Sequence, residues 1–252
     1  MLPTASRRVN RRCFRGGGGD HPWSPNTGWW VAVKAVFQGL IMAGGKGTRL
    51  SHGLEKPLTE IAGRAMIQYP LSALGDSKLV SDVHVAVSRF TSKTEEYVRK
   101  MGVKVIRTPG AGYVEDVKSA AGNVGLCSMI VLGADLPLID GEAVDEVLNH
   151  YSKACKHALT VVSPLKDVLK IGLRPSCLIK HRGGTYVPCG VNVLDTGCMD
   201  EPFIEQEVMV TRDLRMMVNV NTRSDLAVAE RLLLSRGSTQ GRLTGGQREV
   251  GG

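Results

Sequence analysis

The chain has 252 residues, 42% of them hydrophobic and 22% charged, which suffices to bury a full core in one domain or two small ones. No apolar run approaches the roughly 18 residues of a membrane-spanning helix, so no membrane partner is expected. The net charge of +8 points first to nucleic acid. However, residues 1–38 carry six Lys/Arg against one acid and residues 236–252 three Arg against one Glu, leaving the middle near neutral. The basicity belongs to the tails, and no nucleic-acid face is expected on the folded domain.

The first 33 residues, with four consecutive glycines and no sustained periodicity, read as a disordered basic extension or a mis-assigned start. "RRCF" faintly resembles a twin-arginine export signal, but no apolar stretch follows it. A strand is expected over 34–42, then a glycine loop, then a helix around 65–74 that Pro70 would kink or restart. A second strand is placed at 82–88. Ser92 and Glu95 stand at capping-box spacing and open the next helix. Residues 103–108 read as strand, 113–123 as helix, 128–137 as strand then loop, and 140–155 as an amphipathic helix. Strands follow at 158–164, 190–195, 207–211 and 216–221, and a helix from about Thr222 to Ser235 closes the domain. Residues 236–252 read as a disordered tail.

Strands alternating with helices predict an α/β fold, a Rossmann-like mostly parallel sheet with helices on both faces. Ligands in such sheets sit at the carboxyl ends of the strands. Chemistry is therefore expected just after Met42, after Leu132, and near Asn219 to Asn221. Cys13, Cys127, Cys155, Cys177, Cys189 and Cys198 form no CxxC pair, and no histidine lies at zinc-site spacing from any of them. They read as reduced thiols of a cytoplasmic protein, no zinc site is expected, and the histidines receive no role.

The loop "LIMAGGKGTRL" (40–50) follows the first strand. A dinucleotide GxGxxG would need glycine at position 50, which is Leu50. A Walker A loop would need Ser or Thr after Lys46, where Gly47 stands, and glycine at position 40, where Leu40 stands. The loop still suits phosphates, since glycines let successive backbone N–H groups approach an anion. Lys46, Arg49 and, in "EKPL" (55–58), Lys56 add cations, which suit a triphosphate.

"LIMAGGKGTRL…EKPL" resembles the signature of the nucleotidyltransferases that include molybdenum cofactor guanylyltransferase and the sugar-nucleotide pyrophosphorylases. With "GYVEDV" (112–117), "VPCGVNVL" (187–194) and "NVNTRSDLAVAE" (219–230), the stretch 34–235 is similar to the archaeal adenosylcobinamide-phosphate guanylyltransferases (CobY type). The resemblance implies the nucleotide-diphospho-sugar transferase fold. It also implies transfer of GMP from GTP to adenosylcobinamide phosphate, with Mg²⁺ as cofactor. Another member of the same fold, acting on molybdopterin or a sugar phosphate, is the alternative. A nucleic-acid-binding module using the Arg-rich arm is the alternative of another class. The oligomeric state stays open, with a homodimer as one option.

By the same resemblance Lys46, Arg49 and Lys56 are catalytic, and Gly44, Gly45, Lys46, Gly47, Thr48, Arg49, Lys56, Asp135 and Gly190 bind the nucleotide. Asp135, just past an apolar strand, could hold Mg²⁺ or could only shape the turn before Pro137. Asp225 could be a second metal ligand, or the acid of a capping box opened by Thr222. Asn221 orients the same region. Gly190 either clears space for a ligand at a strand start or marks a bulge. Tyr113, Glu115 and Asp116 lie near the base or the corrinoid, or are ordinary helix-start groups.

Overall fold

The computed structural model describes residues 37–47, 50, 54–125 and 127–243. The basic extension 1–33, Thr48, Arg49 and residues 244–252 lie outside the described residues. Strand β1 (Phe37–Met42) leads through the glycine loop to a 3₁₀ turn, Lys56–Leu58. The hairpin β2 (Glu60–Ile61) and β3 (Arg64–Ala65) follows, then helix α1 (Gln68–Asp76). Pro70 sits in the first turn of α1, where its missing N–H would have no intrahelical partner. The helix begins around this proline and does not restart after it.

Next come β4 (Val80–Val87), α2 (Ser92–Lys100), β5 (Lys104–Arg107) and α3 (Tyr113–Val124). After them stand β6 (Ser128–Gly133), α4 (Gly141–Ala154) and β7 (Ala158–Pro164). These match the predicted alternation. The stretch that follows does not. Helix α5 (Leu165–Lys170) and strand β8 (Ile179–His181) were not expected, and β9 (Gly184–Asp195) starts well before Gly190. The chain then forms β10 (Gln206–Val210), α6 (Leu214–Met217) and α7 (Arg223–Leu243), the last running past the end expected near Ser235.

Residues 216–221 are not a strand. The Asp213 carboxylate accepts the backbone N–H of Arg215 at 2.8 Å and caps a helical turn through Met217. Beyond it the chain is extended, held by Val220 N–H on the Asp135 carbonyl at 3.0 Å. Val218 and Val220 are buried, while Asn219 and Asn221 line a cavity, as the two-residue period of an extended chain requires.

Eight strands form one sheet with the path β10-β7-β9-β6-β1-β4-β5 and β8 on β9. The pairs β1–β4, β1–β6, β4–β5 and β7–β10 are parallel. Strand β9 runs antiparallel between β6 and β7, so the sheet is mostly but not wholly parallel. Alternation along the central strands sends side chains to two cores. Phe37, Ile41, Ile130 and Leu132 pack with residues of α1, α2 and α4. Leu40, Met129 and Val131 pack with Val117, Ala120 and Ala121 of α3 on the other face. A third cluster joins α7 and the extended 218–220 to Leu50, Ile61 and Met66. Helices cover both faces, and the loops after β1 and β6 meet at one end.

Candidate active site

At that end lies a cavity of about 350 Å³ between the glycine loop and the residues after β6. Gly45, Gly47, Lys56, Asp135, Gly190 and Asn221 line it, so six of the expected positions converge although four separate segments supply them. A second cavity, of about 630 Å³, adjoins it. Tyr113, Gly190, Asn219 and Asn221 line both. The two form one bipartite cleft with these four residues at its waist.

A closed ring of polar contacts forms the floor. The Lys56 ammonium is ion-paired with Asp135 and donates to Asn221 Oδ1 at 3.1 Å. Asn221 Nδ2 donates to Asn219 Oδ1 at 2.6 Å, and Asn219 Nδ2 donates to Asp135 Oδ1 at 3.0 Å. The side chains of Lys56 and Asp135 are only 17% and 18% exposed, so little water competes for these bonds. An ammonium has three protons. Two of Lys56's are committed among the described residues, which leaves a third for an anion.

Glu55, the residue before Lys56, locks this lysine in place, and sequence reasoning missed it. Its carboxylate accepts the backbone N–H groups of Lys93 and Thr94 at 2.8 and 2.6 Å and the Thr94 hydroxyl at 2.6 Å. It thus caps α2 from outside, at the helix end that favours negative charge. The expected Ser92–Glu95 capping box does not form. Thr91 occupies the cap, and Glu95 pairs with Arg99 and Arg107, which hold its carboxyl below the usual range, Arg107 contributing most. The acidic first letter of "EKPL" was the available signal, but its donors lie about 40 residues downstream, beyond any local pattern.

The expected phosphate glycines divide by role. Gly47 has φ +60°, and a Cβ there would stand 2.7 Å from the Lys56 Cβ, so a side chain would displace the lysine. Gly45 opens to the cavity with nothing near its Cβ position. Gly44 is buried against Ser88, whose hydroxyl donates to the Gly44 carbonyl at 2.6 Å, so a side chain there would press on β4's end. Lys46 is exposed at the rim with its ammonium 4.9 Å above the Phe90 ring.

Gly190 lies inside β9, not at a strand start. Its φ is +74°, and the β7–β9 register slips between Thr160 and Val162, opposite this glycine. The bulge exists, and Gly190 also lines the cavity wall. A Cβ there would meet Asn219 Nδ2 at 3.0 Å.

Tyr113 stands at the waist. Thr160 donates to Asn192 Oδ1 at 2.6 Å, and Asn192 Nδ2 donates to the Tyr113 oxygen at 2.8 Å. The ring edge is open to the cleft while the hydroxyl is crowded, and its pKa is pushed up to about 12. Burial is the main cause, the Asn192 bond opposes it, and the Asp135 charge adds to it. The phenol therefore stays neutral with its oxygen already accepting one bond, a donor facing the cleft. Glu115 is exposed on α3. Asp116 is buried and accepts the N–H groups of Gly110 and Ala111 at 2.8 and 3.3 Å, anchoring that loop.

Asp225 does not reach the cleft. It is fully buried, and Oδ2 accepts the backbone N–H groups of Asn221 and Thr222 at 3.0 and 2.8 Å. Oδ1 accepts the Arg174 N–H at 3.0 Å, and the Thr222 hydroxyl accepts the Asp225 N–H at 3.2 Å. This is the capping box, reciprocal on both arms. The expectation of a metal ligand yields to it, since the carboxylate is spent on three backbone donors away from the cavity. The arrangement also ties down Asn221 in the ring and Arg174 on the second cavity.

Taken together, a lysine with a spare proton, a carboxylate, glycine backbone and a neutral phenol donor can hold a polyanion in the first chamber. The larger second chamber adjoins it. The model of the MobA-like NTP transferase domain matches residues 39–179. An adenosylcobinamide-phosphate guanylyltransferase of Methanocaldococcus jannaschii is 34% identical over 204 residues, 79% of this chain and 98% of that protein. The bifunctional protein GlmU of Bacillus cytotoxicus is 25% identical over 176 residues, 64% of this chain and 37% of that protein. A solved CMP:2-keto-3-deoxy-manno-octonic acid synthetase in complex with CTP superimposes with a TM-score of 0.61 at 16% identity. It spans 80% of this chain and 99% of its own, which is a likeness of fold. This chain belongs to the MobA-like NTP transferase family of nucleotidyltransferases.

Proposed function

We propose that this enzyme transfers GMP from GTP to adenosylcobinamide phosphate, releasing pyrophosphate and forming adenosylcobinamide-GDP. The observation that carries the reading is the Lys56–Asp135–Asn219–Asn221 ring, which floors the first chamber and reaches the waist through Asn219 and Asn221. Such a ring suits a reaction in which two phosphorylated reactants meet. The identity of those reactants is taken from the Methanocaldococcus jannaschii relative, which aligns along nearly its whole length.

In this mechanism the smaller chamber takes the triphosphate. Backbone at Gly45 and Gly47 approaches the phosphates, and the free proton of Lys56 binds a phosphate oxygen. Lys46, exposed on a flexible stem at the rim, is placed to swing from Phe90 onto the departing pyrophosphate. Arg49 is assigned to the same anion. The acceptor phosphate enters from the larger chamber and attacks the α-phosphorus, and the bond to pyrophosphate breaks. Tyr113 donates from the waist to whichever phosphate oxygen lies there.

The donor set fits Mg²⁺: one carboxylate, on Asp135, with an amide oxygen nearby on Asn221, is what magnesium accepts when substrate phosphates complete its shell. Bound there, the ion would offset phosphate charge. Asp135 is assigned as its ligand, and Asp225 positions Asn221.

The test is to incubate the purified protein with Mg²⁺, each nucleoside triphosphate in turn and adenosylcobinamide phosphate, then seek the coupled product by mass spectrometry. Adenosylcobinamide-GDP formed with GTP is expected. Turnover only when molybdopterin or a sugar 1-phosphate replaces the corrinoid would reassign the acceptor and overturn the proposal.

A further inference from the structure

The far end of β9 holds a second cluster of reactive side chains. Asp195, its last residue, pairs with Ser128 at the start of β6, whereas the cleft lies beyond the end of that strand. The separation is on the order of 20 Å along the strand direction. Asp195 caps a 3₁₀ turn, Thr196–Cys198. With three residues per turn, positions i and i+3 of a 3₁₀ helix stack on one face. Asp195 and Cys198 therefore point the same way, and His157, from the α4–β7 loop, faces them.

Cys198 Sγ is 3.3 Å from His157 Nδ1, and His157 Nδ1 is 3.6 Å from Asp195 Oδ2. All three ligand atoms lie within 4.8 Å of one another. Tetrahedral zinc with its ordinary bonds to N, O and S spaces such atoms about 3.4–3.6 Å apart. Two edges are already at that spacing, and the third needs to close by about 1 Å at most.

The backbone beneath is fixed. The Asp195 N–H donates to the His157 carbonyl at 2.8 Å, and the His157 N–H to the Glu205 carbonyl at 3.2 Å. Gly197 N–H donates to Asp195 Oδ1 at 3.1 Å, which turns the other oxygen toward the histidine. These bonds set the ligands' positions in advance, as outer-shell contacts do in metal sites. The His157 and Asp195 side chains are 53% and 26% exposed, so an ion can enter and a water can supply a fourth ligand.

We infer that His157, Asp195 and Cys198 form a binding site for a zinc-type divalent cation, separate from the nucleotide cleft. Nitrogen, sulfur and oxygen ligands in a tetrahedral set select a borderline-soft ion over magnesium. The ion clips the end of β9 to the α4–β7 loop, and β9 also carries Gly190 and Asn192 into the cleft.

The probe is Co²⁺, titrated under reducing conditions into the full chain. One equivalent should give thiolate-to-cobalt charge-transfer absorption that Zn²⁺ displaces and millimolar Mg²⁺ does not. Cys198→Ser should abolish the band, and His157→Gln should weaken Co²⁺ binding about tenfold or more with folding intact by circular dichroism. Absence of the band, its persistence in Cys198→Ser, or unchanged affinity in His157→Gln would each overturn the assignment. If Cys198→Ser does not fold, the His157→Gln titration decides alone.

Discussion

Replacing Asp225 by asparagine separates a structural carboxylate from a metal ligand. The native carboxylate offers two oxygens to three backbone donors, with Asn221 and Thr222 on Oδ2 and Arg174 on Oδ1. An amide keeps one oxygen. Its best orientation holds the Asn221–Thr222 pair and turns the NH₂ against the Arg174 N–H, donor facing donor. The position is fully buried, so water cannot repair the loss. A buried donor left unsatisfied costs about 1–3 kcal/mol. For a domain of this size each kcal/mol lowers Tm by about 2–4 °C, which predicts a fall of roughly 2–12 °C by calorimetry. The Mg²⁺ concentration that gives half-maximal turnover should stay unchanged, because the side chain does not reach the cleft. KM for the acceptor should rise, because Arg174 on the second cavity loses its anchor. An unchanged Tm together with a raised Mg²⁺ requirement would refute the reasoning and return Asp225 to the metal.

Three further substitutions probe the ring. Asp135→Asn should fold normally and turn over about a hundredfold more slowly, a loss near 3 kcal/mol, and near-normal rates would remove Asp135 from the mechanism. Lys56→Ala withdraws the cation and leaves the Asp135 charge facing the phosphates, so GTP affinity by calorimetry should drop about tenfold or more, and an unchanged Kd counts against its role. Gly190→Ala forces a φ of +74° on alanine, at about 1–2 kcal/mol, and puts a methyl carbon 3.0 Å from Asn219 Nδ2. Displacing that amide from Asp135 should lower kcat/KM roughly tenfold to a hundredfold, and retained activity would show that the Asn219 bond is dispensable.

Much of the fold was legible from local signals. Apolar runs located β1, β6 and β7, and amphipathic periodicity located α4, which the structure caps with Asp140 accepting the Ala143 N–H at 2.9 Å. The glycine loop and the acid after β6 were found because ligands gather at the carboxyl ends of parallel strands. The segment 216–221 misled because "MMVNVN" has the period of a strand, while Asp213, just outside it, caps a helical turn first. Strand β9 was caught only in its second half. Its earlier part, "GTYVPC", contains a proline and borders a bulge, both of which weaken a strand signal.

From the chain of letters alone came the class of fold, the candidate phosphate loop, and the candidacy of Lys56, Asp135, Gly190 and Asn221. The strand-end positions of the loop and of Asp135 rest on neighbours within a few positions, the range over which periodicity and turns act, whereas Gly190 and Asn221 rest on the resemblance of longer motifs. The fold in three dimensions decided which reading of Asp225 held, and it made Glu55 the clamp on α2. It also brought His157 to Cys198 across 41 residues, where cysteine spacing had argued against zinc. Those outcomes depend on strand order and register, and above all on β9 entering the sheet antiparallel between β6 and β7. The burial of both sheet faces against distant helices sets that order, and it leaves no mark in any short window of sequence.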